Sequence, residues 1–145
     1  MTNEPTYTAW RALDPFFDVV MAGLRDHVDG EHYFDAIAND AVFEFRYHFP
    51  GYPVVVKGRK ALMDLYAGYV MQLDSADGLV VHHDRDAGTI TLEYEVHGKS
   101  PSGHAYDNRF ASIVEIRDRK ITHWRDYMDS LAAIIAIRGP SFLGP

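Results

Sequence analysis

The chain has 145 residues, 47% hydrophobic and 24% charged, which suits one domain (1–145) with one substantial core. Its net charge is −7 and it has no basic run, which excludes the electrostatic footprint of a nucleic-acid binder and argues against docking on anionic lipid. With Cys 0, disulfides and thiolate chemistry are excluded; a polar N-terminus and short apolar stretches make a soluble, cytoplasmic protein the expectation.

Asp14-Pro15 predicts a helix start, with Asp as the cap and Pro at the first helical position. Phe16, Phe17, Val20, Met21, Leu24 and Val28 follow at helical spacing, ending near Gly30, and 6–13 adds a turn in front. A short second helix is expected over 31–38, closed by Asn39-Asp40. Residues 41–48 read as a strand, and 54–56 as a short extended piece after Pro50-Gly51 and Pro53. A third helix spans 58–72, with Leu62, Leu65, Tyr66 and Tyr69 on one side.

The period then changes to two. Strands are expected at 79–85, 89–98, 105–116 and 120–128, divided by Asp86-Ala87-Gly88, Ser100-Pro101-Ser102-Gly103 and Asp118-Arg119. The second of these alternates cleanly: Ile90, Leu92, Tyr94 and Val96 face one way, and Thr91, Glu93, Glu95 and His97 the other. Residues 131–137 form a short apolar segment before Gly139-Pro140. Helices followed by meandering strands define an α+β fold, with helices gathered on one face of a curved antiparallel sheet. The wedge between those layers is a natural site for an apolar ligand, and aromatics, 13% of the chain, suit its walls.

Several residues in this frame have the chemistry for a site. Asp126 shares a strand face with Trp124 and Met128. Burying a carboxylate between two large apolar groups raises its pKa and makes it a usable acid or base near neutrality; an ion pair with Arg109 or Arg125 is the structural alternative. Glu93 and Glu95 form a carboxylate pair on one strand face, which is also how the solvated side of an amphipathic strand looks. His48 and His97 are the two histidines best placed for a pocket, and no histidine falls in a metal-ligand spacing. Tyr47, Tyr66, Tyr69, Tyr94 and Tyr106 are candidate donors to a developing oxyanion, or core residues with satisfied hydroxyls.

Three runs taken together carry a family resemblance: Tyr33-Phe34-Asp35-Ala36-Ile37-Ala38-Asn39-Asp40-Ala41-Val42-Phe43, Lys57-Gly58-Arg59, and Lys120-Ile121-Thr122-His123-Trp124-Arg125-Asp126-Tyr127-Met128-Asp129. In their order and spacing the chain resembles the NTF2-like superfamily, in its ketosteroid-isomerase-like and SnoaL-like (polyketide cyclase) branch. The resemblance implies a cone in which a curved antiparallel sheet wraps around three helices and encloses an apolar pocket. Trp124-Arg125-Asp126-Tyr127 is similar to the last strand of limonene-epoxide-hydrolase-like enzymes, where the matching Asp is catalytic and an Arg-x-Asp pair two strands earlier falls on Glu93 and Glu95, with Glu in place of the Arg. Glu93 to Lys99, Tyr106 to Phe110 and Arg125 to Met128 are similar to phenazine-biosynthesis A/B-type proteins, whose acid/base residue falls on Asp126.

The resemblance implies catalytic roles for Asp126, Glu95 and Glu93. It places Tyr66, Tyr69 and Asn108 at the substrate, and His48, His97 and Trp124 are further candidates to touch it. It implies a homodimer through the open sheet face, with Ile90, Leu92, Tyr94 and Val96 as the apolar patch. The expected function is an acid/base enzyme, working without cofactor or metal, on a hydrophobic small molecule: isomerase, cyclase, dehydratase or epoxide hydrolase. The alternatives are a non-catalytic binding or assembly module of the same fold, and an accessory subunit of an oxidoreductase.

Overall fold

The computed structural model describes residues 7–144. A 3-10 turn at Thr8–Leu13 runs directly into helix α1, Asp14–Leu24. Asp14 is therefore the first helical residue and not a cap; Leu13 occupies the cap position, and no side chain caps the end. The first residue expected in that turn, Thr6, lies outside the described residues, as do 1–5. Phe16, Phe17, Val20, Met21 and Leu24 form the buried face of α1. Each such side chain stabilises the fold by roughly 1.5–3 kcal/mol on burial.

The second expected helix is only a 3-10 turn, Tyr33–Ala36. His32 Nδ1 accepts from the Phe34 N–H, while the Asp35 carboxylate accepts from the His32 N–H, which closes the turn after one round. Strand β1, Ile37–Phe45, begins immediately. Its buried residues Ala41, Phe43 and Phe45 alternate with less buried ones, and this period of two outcompetes the helical reading of 31–38. Strand β2 is Val55–Lys57, and helix α2, Arg59–Ala67, is shorter than the expected 58–72. Strand β3 starts at Gln72, seven residues before the expected 79, and runs to Asp84. Strands β4 (Thr89–Lys99), β5 (Ala105–Arg117) and β6 (Lys120–Met128) fall within a residue of expectation, and helix α3 is Ser130–Arg138, with Asp129 as its side-chain cap.

The six strands make one sheet in the order β2-β1-β6-β5-β4-β3. It is mixed and not wholly antiparallel, because β1 lies parallel to β6. The return from β1 through α2 and the meander brings the last strand to the middle of the sheet. Helix α1 packs on β3 and β4, α2 on β1, and α3 on β5, so the helices cover one face. Gly98 permits a close approach: a Cβ there would sit 2.0 Å from the Gln72 carbonyl oxygen, so the start of β3 can fold tightly against the end of β4. No helix among the described residues is long and apolar enough to cross a membrane.

Burial settles which way β4 faces. Ile90, Leu92, Tyr94 and Val96 are all 2% exposed or less and pack beneath the helices. They supply no apolar patch on the open sheet face, so the homodimer surface expected from them does not exist. By alternation, Glu93, Glu95 and His97 point away from the helices.

Candidate functional site

The helices do not fill the sheet's concave face. A cavity of about 460 Å³ remains between β1, β4, β5 and β6 on one side and α1, α2 and α3 on the other. Nine aromatic rings line it. Phe45, Tyr47, Phe49 and Tyr52 come from the end of β1 and the connection to β2, where Tyr47 and Tyr52 stack with centroids 6.2 Å apart. Tyr66 and Tyr69 come from α2 and its exit, Phe16 from α1, and Tyr106 and Phe110 from β5. Leu13, Leu65, Leu73, Val96, Met128, Ala133 and Ile137 add aliphatic wall, while exposed Asp64 and Val70 mark the rim.

Asp126 lies at this cavity and is 4% exposed, the one carboxylate among the described residues to be so buried. Trp124 and Asp126 are buried on the face that Met128 shares, as the sequence pattern predicts. Neither Arg109 nor Arg125 pairs with Asp126. Instead Ser112 Oγ donates to Asp126 Oδ1 at 2.5 Å and Trp124 Nε1 donates to the same oxygen at 3.0 Å. Because both bonds land on Oδ1, Oδ2 is the oxygen left to face the cavity. Behind Ser112, the Tyr94 hydroxyl lies 2.8 Å from Ser112 Oγ; with the serine proton given to Asp126, Tyr94 is the donor in that bond.

Burial raises the Asp126 pKa to about 6, against the opposing pull of the Ser112 and Trp124 hydrogen bonds, which favour the anion. At neutral pH the carboxylate is mostly ionised, yet close enough to its midpoint to take and return a proton. The phenols around it behave oppositely. Burial pushes Tyr47, Tyr52, Tyr66, Tyr69 and Tyr106 up from the usual phenol value, so each stays a neutral donor.

Asn108 is buried behind the cavity wall and does not line it. Its Oδ1 accepts from the backbone N–H groups of Arg109 and Asp129, which fixes the amide orientation. Its Nδ2 must then donate to the Tyr106 hydroxyl, at 2.9 Å. Tyr106 consequently has its own proton to offer elsewhere, and its ring lines the cavity.

The remaining predicted site residues are elsewhere. Glu93 binds His82 at 2.7 Å and Glu95 binds Arg109 at 3.1 Å, both on the outer sheet face. Glu93 and Glu95 are corrected from catalytic residues to surface ones: the inner positions of β4 are taken by its apolar set. His97 sits beside them, bonded to Asp107 at 2.6 Å and Asp77 at 3.1 Å, bonds that raise its pKa. The ligand atoms of Asp77, Glu95 and His97 come within 4.8 Å of one another, a grouping across two strands that linear spacing does not reveal. His48 is exposed beyond the end of β1 and does not line the cavity. Trp124 reaches the site only through its bond to Asp126. Tyr66 and Tyr69 line the cavity as expected.

Sequence reasoning missed Ser112 and Tyr52. Ser112 was detectable: it continues the inward set of Asn108, Phe110 and Val114, where a hydroxyl needs a partner. Tyr52 lies in an irregular connection, where no periodicity assigns a face.

Helices over one curved, mixed six-stranded sheet make the NTF2-like, ketosteroid-isomerase-like fold. The chain belongs to the SnoaL-like family, whose domain model matches residues 14–124. It is 34% identical over 107 residues to the uncharacterised protein YesE of Bacillus subtilis (strain 168), covering 72% of each chain. Among solved structures it is similar to a candidate isomerase from Bacillus subtilis (TM-score 0.70, 26% identity, 88% of this chain and 91% of that one). It is also similar to a phenazine biosynthesis-related protein from Pseudomonas aeruginosa (TM-score 0.66, 19% identity, 97% of this chain and 89% of that one).

Proposed function

We propose that this protein is an acid/base enzyme that moves a proton on a hydrophobic small molecule carrying a carbonyl group, in an isomerisation or an aldol-like cyclisation. The observation that carries this reading is the position of Asp126: nearly buried, at an open aromatic cavity, with Oδ1 held by two donors and Oδ2 free. Asp126 Oδ2 removes a proton from the carbon next to the carbonyl, and the C–H electron pair moves onto the carbonyl oxygen to give an enolate. The Tyr106 hydroxyl, set by Asn108, donates to that oxygen. The protonated Asp126 then returns its proton to a second carbon, which completes an isomerisation. In a cyclisation the enolate carbon attacks an electrophile in the same molecule, and the proton goes to the new alkoxide. Likeness to a candidate isomerase agrees with this class of reaction.

The open cavity supports a small-molecule role over an assembly module, and a non-catalytic binder of the same fold differs from the enzyme in giving no exchange. The test is exchange of α-hydrogens for deuterium in D2O, followed by NMR on a panel of cyclic ketones and enones. The wild-type protein accelerates exchange on at least one member. Asp126→Asn loses that acceleration by a factor of about 100 or more, the usual range for a general base. Equal exchange in the variant removes Asp126 from the chemistry.

A further inference from the structure

The cavity has a charge character that the proton-transfer reading does not use. Its lining contains two ionisable carboxylates, Asp126 on the wall and Asp64 at the rim, and no Lys, Arg or His among the described residues. Nine aromatic rings surround that acidic interior, and each presents a negative π face or a phenolic oxygen. The oxygen of Asp126 left free by Ser112 and Trp124 faces this enclosure from a nearly buried position. A cation entering here meets both a counter-charge in a low-dielectric setting and aromatic faces, and the two attractions act together. An anion meets repulsion from Asp126 with no positive group to offset it.

We infer that this cavity selects its ligands by charge, taking a flat apolar skeleton with an amine or ammonium head seated on Asp126 well ahead of the same skeleton bearing a carboxylate. The inference rests on the reading that the Asp126 cavity is the ligand site, and it names the class of molecule that fits best. A substrate of the enzyme then carries no negative charge, and anionic carrier-linked or carboxylated forms are excluded; an ammonium seated on Asp126 acts as a competing ligand, because it occupies the oxygen that takes the proton.

The groups that face Asp126 all favour this assignment. Phenols do so from every packed element: Tyr47 and Tyr52 from the β1–β2 connection, Tyr66 and Tyr69 from α2 and its exit, Tyr94 and Tyr106 from β4 and β5, and Tyr33 from the turn before β1. Burial keeps all seven protonated through the neutral range, so Asp126 is the group whose charge changes between pH 5 and pH 8 inside the cavity.

The experiment uses three probes on one skeleton: (2-naphthylmethyl)trimethylammonium, 2-acetonaphthone and 2-naphthoate. Binding to the full chain is measured by calorimetry at pH 5 and pH 8. The ammonium probe carries a permanent charge, so any pH dependence belongs to the protein. At pH 8 it binds at least tenfold more tightly than 2-naphthoate, and its affinity falls about threefold or more at pH 5. In Asp126→Asn the ammonium loses its preference over 2-naphthoate and its pH dependence. If that variant does not fold, the wild-type pH comparison still decides.

No binding of the ammonium, equal binding of all three probes, or tightest binding of 2-naphthoate overturns the inference. The proton-transfer reading fails separately: α-hydrogen exchange that survives Asp126→Asn removes it whatever the probes do.

Discussion

Ser112 and Asp126 face each other directly across β5 and β6, and Ser112 Oγ lies 2.5 Å from Asp126 Oδ1. The strand register thus delivers a donor to the carboxylate without any loop or helix taking part. This bond stabilises the ionised form, and a hydrogen bond to a charged group contributes about 1.5–3 kcal/mol. Ser112→Ala is expected to raise the Asp126 pKa from about 6 by roughly one unit or more. The check is the acid limb of the pH profile for α-hydrogen exchange, which moves to higher pH. Tyr94→Phe acts through Ser112 and shifts the limb in the same direction by less.

Asp126 also makes stability depend on pH. Its folded pKa, about 6, lies above its ordinary value of 3.8, so the folded state binds more protons between these values. The associated stability is fully present below pH 3.8 and is lost as pH rises through 6, on the order of 3 kcal/mol in all. Urea unfolding of the wild-type chain against Asp126→Asn at pH 5 and pH 8 isolates this contribution. The difference between the two proteins moves in favour of the variant at pH 8.

The fold was legible in the sequence where one face is apolar. β4, β5 and β6 declare themselves by alternation, and Asp126 stands out by breaking it between Trp124 and Met128. What misled was the direction of β4. Alternation gives two faces and does not say which is inside; carrying Glu93 and Glu95 to the pocket by family spacing turned the apolar set outward. The start of β3 was illegible for a related reason. It is an edge strand, mostly exposed, and Gln72, Asp74, Ser75 and Asp77 carry no hydrophobic pattern. The turn at Tyr33–Ala36 shows a further limit, since Phe34, Ile37 and Ala38 satisfy helical spacing over one turn and only the continuing alternation of β1 decides against it.

The corrected surface carboxylates give a control. Glu95 bonds Arg109 on the outer face, where the Arg109 side chain is 87% exposed, and exposed pairs contribute little. Glu95→Gln leaves both α-hydrogen exchange and its pH profile unchanged within about twofold. A large loss of exchange rate would return Glu95 to the site.

Tyr33 presents a different opportunity. Its hydroxyl is fully buried and has no hydrogen-bond partner among the described residues, and an unsatisfied buried polar group costs about 1–3 kcal/mol. Tyr33→Phe removes that penalty while keeping the ring against Phe17 and Trp124. The variant is expected to be more stable by about 1 kcal/mol in urea unfolding.

The most direct single measurement is a carbon-13 NMR titration of the Asp126 side-chain carboxyl in the free protein and with 2-acetonaphthone bound. The account predicts a midpoint near 6 in the free protein and a displaced midpoint when the ketone occupies the cavity. A midpoint near 4 that the ketone leaves unmoved would contradict it, because a carboxylate so placed is neither buried nor in contact with what the cavity holds.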